Sequence, residues 1–102
     1  MKRGLLLTIT EPPAAMDEEF NAWYDTEHVP ALARVPGVLS ARRFRARNGT
    51  PRYVALYHLA EPGVPESPAW KEASAATPMP QAVRPHITDR LRLVCRKYAR
   101  PA

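Results

Sequence analysis

The residue types best suited to chemistry gather at one place, in Phe20-Asn21-Ala22-Trp23-Tyr24-Asp25-Thr26-Glu27-His28-Val29-Pro30. Histidine titrates nearest neutral pH, so His28 is the natural general acid or base, with the Tyr24 phenol available to donate to a bound oxygen atom. A helix C-terminal histidine also has a plainer reading. The helix dipole favours it there, and a backbone carbonyl can satisfy its ring nitrogen. Trp23 and Tyr24 read as core or pocket wall. Glu27 is the anomaly: at 3.6 residues per turn it falls one turn after Phe20 and Trp23, near the middle of the apolar stripe, where a carboxylate needs a partner or a job. An arginine from a strand, Arg42 or Arg43, would supply the partner. Adjacent helical residues point about 100° apart, so Glu27 and His28 are not expected to touch.

Other candidates lie on a strand. Tyr53 and Tyr57 alternate onto one face and are expected to face the sheet-side cavity that pairing with a second copy would close. With Trp23, Glu27 and Arg42 they complete the expected ligand-binding set. An aromatic-lined cavity suits a planar, largely apolar small molecule. His58 is out of phase with Tyr57 and faces away, and His86 reads as a loop or subunit-contact histidine. The three histidines share no metal-ligand spacing on one element, so no metal site is expected. The sequence has neither a Gly-rich phosphate loop nor a GxSxG elbow, which argues against nucleotide-dependent chemistry and serine hydrolysis, and no cofactor is expected.

The elements that must position these groups follow from periodicity. Gly4 to Thr10 reads as a central strand, with Leu5, Leu7 and Ile9 on one face and Leu6, Thr8 and Thr10 on the other. Glu11-Pro12-Pro13 breaks it. A helix from Ala14 or Met16 to His28 follows, with acidic residues in its first turns and Met16, Phe20, Trp23 and Tyr24 on one face. Pro30 stops the main helix near His28 and is placed to open a short second turn through Ala33. Val35-Pro36-Gly37 is a turn. Strands are expected over 38–47 and 52–60, joined by an Asn48-Gly49 hairpin and so antiparallel neighbours. Glu61 to Pro68 is a proline-rich loop. Ser67 then caps a helix running from Pro68 to about Ala76, and Gln81 to Pro85 is irregular or a single turn. The last strand spans Thr88 to Tyr98, with Leu91, Leu93 and Cys95 opposite Arg90, Arg92, Val94, Arg96 and Tyr98.

The order β-α-β-β-α-β predicts an α+β, ferredoxin-like fold: a four-stranded antiparallel sheet with both helices on one face. The 102 residues form one expected domain, 1–102. A domain this small gains from covering its bare sheet face with a second copy, so a homodimer through sheet faces is expected. Hydrophobic content of 45% and charged content of 25% are those of a soluble globular chain. No apolar run approaches the roughly 20 residues of a membrane span, and Leu5-Leu6-Leu7 is too short for a signal peptide core, so a cytoplasmic location is expected. The single Cys95 cannot form an internal disulfide and reads as a small hydrophobe. The net charge of +5 is segregated, with an acidic first helix and arginine-rich strands. Without interleaved aromatics those arginines make nucleic-acid binding a weak reading. Pairing with the acidic helix is the favoured one.

Trp23-Tyr24-x-x-x-His28-x-Pro30, the Val35-Pro36-Gly37-Val38 turn and Ser67-Pro68-Ala69-Trp70 together resemble the dimeric α+β barrel superfamily. Within it they look most like the EthD-like branch and the bacterial proteins around it. The resemblance covers nearly the whole chain and implies a ferredoxin-like protomer that dimerises through its sheets. It also implies a range of activities, among them cofactor-free, quinone-forming oxygenation, isomerisation, cyclisation and haem degradation, so the fold constrains function poorly. The leading expectation is a small homodimer binding a hydrophobic or aromatic molecule, with oxygenation or proton transfer at His28 and Tyr24. A non-catalytic accessory or stress-associated dimer comes next, and a haem-binding or haem-degrading protein after that.

Overall fold

The computed structural model describes residues 3–87 and 89–98. Four strands, β1 (Gly4–Glu11), β2 (Val38–Arg45), β3 (Tyr53–Leu59) and β4 (Asp89–Arg96), form an antiparallel sheet in the order β2-β3-β1-β4. The two strands whose faces are most apolar, β1 and β3, take the centre, as the sequence predicts for β1. The arginine-rich β2 and β4 take the edges. The register sets Leu6 between Tyr57 and Val94, and Thr8 between Ala55 and Arg92. Directly opposed residues share a face. Leu6, Thr8, Tyr53, Ala55, Tyr57, Arg43, Arg90 and Arg92 therefore face the helices. Leu5, Leu7, Ile9, Val54, Leu56, Phe44, Leu91, Leu93 and Cys95 form the other face.

The helical layer departs from expectation at its most informative point. A short 3-10 turn (Ala14–Met16) leads into α1 (Asp17–Trp23), a π turn (Tyr24–His28) and α2 (Val29–Ala33), without a break. The helix thus runs on past His28 without the expected stop, while the short second turn read at Pro30 is present and ends at Ala33 as predicted. Val29 N–H donates to the Tyr24 carbonyl, five residues back. The widened turn has a local reason: in a regular helix the Pro30 ring would collide with the Thr26 carbonyl and leave it unpaired. Thr26 Oγ1 in turn donates to the Ala22 carbonyl at 2.6 Å, a back-bond one turn up the helix.

The second helix, α3 (Pro68–Ala76), matches its predicted span. Ser67 Oγ accepts the Trp70 N–H at 3.2 Å, the expected cap. The predicted loop before it contains a 3-10 turn at Val64–Glu66, and another at Arg84–His86 precedes β4. β2 and β3 end one or two residues short of the predicted limits. Thr88, the predicted start of the last strand, lies outside the described residues. Gly37 adopts φ +95° at the predicted turn, and a Cβ there would sit 2.6 Å from a Val64 methyl. The core lies between sheet and helices, around Leu6, Phe20, Leu32, Tyr57 and Leu59, each at most 1% exposed.

The arginine–acid pairing read from charge segregation is present. Arg52 Nη1 and Nη2 hold both Asp17 carboxylate oxygens at 2.6 and 2.8 Å, and its Nε holds Glu11 at 2.6 Å. Tyr53 Oη donates to Asp17 at 3.0 Å. This cluster fastens the start of α1 to the β3 end of the sheet.

Candidate functional site

Trp23 and His28 stack at 4.4 Å between ring centroids with an interplanar angle of 20°. On an α-helix residues five apart point about 140° from each other. The π turn, with its five-residue spacing, is what superposes them. Tyr24 meets both rings edge-on, at 4.6 Å from Trp23 and 5.6 Å from His28. The same shift disposes of the Glu27 anomaly. Glu27 is exposed, outside the apolar face, and neither predicted partner holds it. Arg43 instead pairs with Asp25 at 2.9 Å and Asn21 Oδ1 at 2.7 Å, and its guanidinium lies over Tyr24 at 4.6 Å. Arg42 is on the opposite sheet face and exposed.

A cavity of about 430 Å³ lies between the helices and the β1–β4 side of the sheet. Trp23, Tyr24 and His28 form one wall, Trp70 and the end of α3 another, and Leu6, Thr8 and Tyr57 the floor. Of the residues singled out from sequence, the structure gathers His28, Tyr24, Trp23 and Tyr57 here; Tyr57 and Tyr53 lie on the helix-covered sheet face and not on the sheet-side cavity expected for them, because the strand register turns them inward. Tyr53 is buried on the same sheet face but does not line the cavity. It is committed to Asp17 and to Asn21, whose amide donates to Tyr53 Oη at 3.2 Å. Glu27 and Arg42 stand apart from it.

Thr77, just past α3, organises the wall. Its carbonyl accepts Trp23 Nε1–H at 3.2 Å, and its hydroxyl lies 2.9 Å from His28 Nδ1. The hydroxyl also donates to the Ala73 carbonyl at 3.0 Å. With its one proton used there, it accepts from His28, which fixes the Nδ1–H tautomer and leaves the Nε2 lone pair available. The backbone of Thr77 also acts on His28, so the plainer reading of a helix-end histidine satisfied by a backbone carbonyl holds beside the contact to the hydroxyl. Burial pushes the His28 pKa down to about 4, and the Arg90 charge adds to the effect against the opposing bond to Thr77. At neutral pH His28 is a neutral imidazole. Burial pushes the Tyr57 phenol up, so it stays protonated.

Sequence reasoning missed Thr77, Thr8, and the arginines at the opening, Arg84, Arg90 and Arg92. Thr8 had a signal: a hydroxyl on the strand face that also carries Leu6. Its Oγ1 is buried without a hydrogen-bond partner among the described residues. His58 and His86 are exposed, His58 on the other sheet face. Among the described residues no cluster of His, Cys, Asp and Glu could hold a metal ion, and no helix is long and apolar enough to cross a membrane.

Compared by sequence, the chain matches no protein-family model and none of the curated proteins. Compared by structure, it resembles the haem degrader MhuD of Mycobacterium tuberculosis, solved with two haems in its active site. The TM-score is 0.69 at 22% identity, over 97% of this chain and 99% of that one. An EthD-family protein of Bacillus halodurans C-125 superposes with a TM-score of 0.64 at 12% identity, over 96% of this chain and all 100% of that one. SnoaB, a cofactor-independent oxygenase of Streptomyces nogalater, gives 0.57 at 18% identity, over 99% and 95% of the two chains. These likenesses show the fold: a ferredoxin-like α+β fold shared with solved EthD-family and antibiotic-biosynthesis-monooxygenase proteins.

Proposed function

We propose that this protein binds an aromatic small molecule in the cavity beside α1 and starts its chemistry by abstracting a proton with His28. The observation that carries the reading is a neutral imidazole in an aromatic wall, its Nδ1–H held by Thr77 and its Nε2 lone pair available as a base. Trp23 and Trp70 provide faces for a planar ring. Tyr24 and Tyr57 offer phenol hydroxyls to a substrate oxygen. Once a carbanion forms at a methylene flanked by aryl groups, dioxygen takes its electrons directly. One oxygen atom becomes the new carbonyl, and the other leaves as water with the two methylene protons. Cofactor-free oxygenation is thus one outcome of the proton-transfer step, and isomerisation or cyclisation of the same anion is another. The cofactor-independent oxygenase among the structural neighbours supports the first.

The test is oxygen uptake with anthrone, in chelator-treated buffer, by the native protein and by His28→Ala and Thr77→Val. The reading expects anthraquinone from the native protein and a loss of about 100-fold or more in kcat without the base. Full activity in His28→Ala removes its role. Inactivity of the native protein against anthrone and a panel of acidic arenes favours the non-catalytic accessory reading.

The apolar outer sheet face suits a second copy of this chain, which makes the active species a homodimer. A haem reading stands second. The fit is limited to one donor: His28 is the imidazole in the cavity wall, and its Nε2 would be the iron ligand. Haem, when bound, supplies iron for dioxygen activation. Hemin titration without a Soret shift removes this reading.

A further inference from the structure

Arg84, Arg90 and Arg92 line the cavity opening, and no ion pair engages any of them among the described residues. This contrasts with Arg43 and Arg52, which face the same helical layer and are paired. The described cavity lining contains no carboxylate. Arg90 and Arg92 are two apart on the inner face of β4, so their backbones are about 7 Å apart along the strand. Thr8 is directly opposite Arg92 in the sheet register, and Thr10 opposite Arg90. Opposed Cβ atoms lie about 5 Å apart. The unpartnered, buried Thr8 hydroxyl and Arg92, which has no ion pair among the described residues, are therefore cross-strand neighbours that line one cavity. A buried hydroxyl without a partner is costly, and a cationic rim excludes cationic ligands.

We propose that the ligand of this cavity is an aromatic acid, its carboxylate held by Arg90 and Arg92, with the Thr8 hydroxyl donating from the floor and Arg84 closing the rim. This deepens the reading of the cavity as an aromatic-ligand site and rests on it. Planar guanidinium forks match carboxylate geometry, and the charge-assisted bonds they form exceed those to a neutral amide. The cavity is flanked by side chains rather than by a glycine-rich nest of backbone N–H groups, which favours a carboxylate over a phosphate ester. Seating an anion here has a consequence for His28. It offsets the Arg90 charge that holds the imidazole's basicity down and makes the base stronger when the site is filled.

Equilibrium dialysis with 2-naphthoate, 2-naphthamide and 2-naphthyl phosphate tests this. Naphthoate is expected to bind at least about tenfold tighter than the amide at low ionic strength, the worth of one charge-assisted hydrogen bond. The advantage shrinks in salt. Arg90→Gln combined with Arg92→Gln brings naphthoate down to about the affinity of naphthamide, and a circular-dichroism spectrum and urea midpoint matching the native protein show that the variant is folded. Thr8→Val narrows the advantage a few-fold. The His28 imidazole, followed by NMR, titrates higher in the naphthoate complex than in the free protein. Equal affinity for acid and amide, or an advantage that survives the double substitution, overturns the proposal and leaves the aromatic site standing. Tighter binding of the phosphate ester than of naphthoate replaces the carboxylate with a phosphate. Failure of all three probes to bind the native protein removes the aromatic site as well.

Discussion

The neutral state of His28 makes the protein acid-sensitive in a window where few other groups titrate. The folded imidazole has a pKa of about 4 against 6.5 for the free side chain. Since the folded value is the lower one, the unfolded chain takes up a proton that the native protein refuses. Stability from this group is complete above pH 6.5 and declines as pH falls from there towards 4. Between about pH 8 and about pH 5 the loss works out to about 2 kcal/mol from the two pKa values. Asp17 does not confuse the window. The bond to Arg52 first, and that to Tyr53 next, hold its carboxyl below 3.8, so its contribution is lost only at lower pH. The assay is urea unfolding of the native protein and of His28→Gln at several pH values across this range. The native protein is expected to lose about 2 kcal/mol more than the variant on acidification. Because the comparison is of slopes, any fixed cost of the glutamine cancels. Equal slopes, or an NMR titration of His28 near 6.5, refute both the burial argument and the neutral base built on it.

Three further outcomes test the frame around the site. Arg52→Met removes the guanidinium's bonds to Asp17, Glu11 and the Pro12 carbonyl at once, and should cost about 2–3 kcal/mol in urea unfolding, below the range for a fully buried pair since Arg52 is partly exposed. Gly37→Ala places a methyl against Val64 at positive φ and should lower stability by more than about 1 kcal/mol, read as a fall in the urea midpoint at constant m. Leu93→Arg puts a charge on the outer sheet face, where Leu93 is 43% exposed. Sedimentation velocity should then show a monomer in place of the proposed dimer, and a native protein that already sediments as a monomer removes the homodimer.

Most of the fold is written locally in the chain. The hairpin at Asn48-Gly49, the Ser67-Pro68 start of α3 and the alternation in β1 and β3 each act within a few residues, so periodicity and turn chemistry reveal them. The site is legible only where it depends on such rules. Trp23 and Tyr24 are readable as inward-facing aromatics, whereas Tyr57 is not, because its face depends on the register. Glu27 and Arg42 were misplaced for different reasons. Glu27 fell to a period error, because the helical wheel assumes 3.6 residues per turn through a segment that takes an extra residue. Arg42 fell to strand phase, because neighbours on a strand face opposite ways and only the register decides that Arg43 points inward. The Thr77–His28 bond spans 49 residues, and no local pattern encodes it.

The extra residue in that turn links the sequence to the chemistry. Without it, His28 would leave the Trp23 face, and Glu27 would enter the apolar wall as an unpaired carboxylate. Pro30 is the residue that makes a regular helix costly at this point, although it touches no substrate in the proposed reaction. Two residues before it, the chain places a histidine that the wider turn stacks on Trp23 and brings to Thr77. The Trp-Tyr-x-x-x-His-x-Pro spacing is therefore a geometric unit. The proline favours the π turn, the π turn superposes tryptophan and histidine, and the hydroxyl from α3 selects the tautomer. If the unit holds, Pro30→Ala should allow the helix to return to regular pairing. His28 would then lose its Thr77 bond and titrate closer to its ordinary value, while α3 and the sheet remain folded. An unchanged His28 titration in that variant would show that packing against Trp23 and Thr77, rather than the proline, maintains the turn.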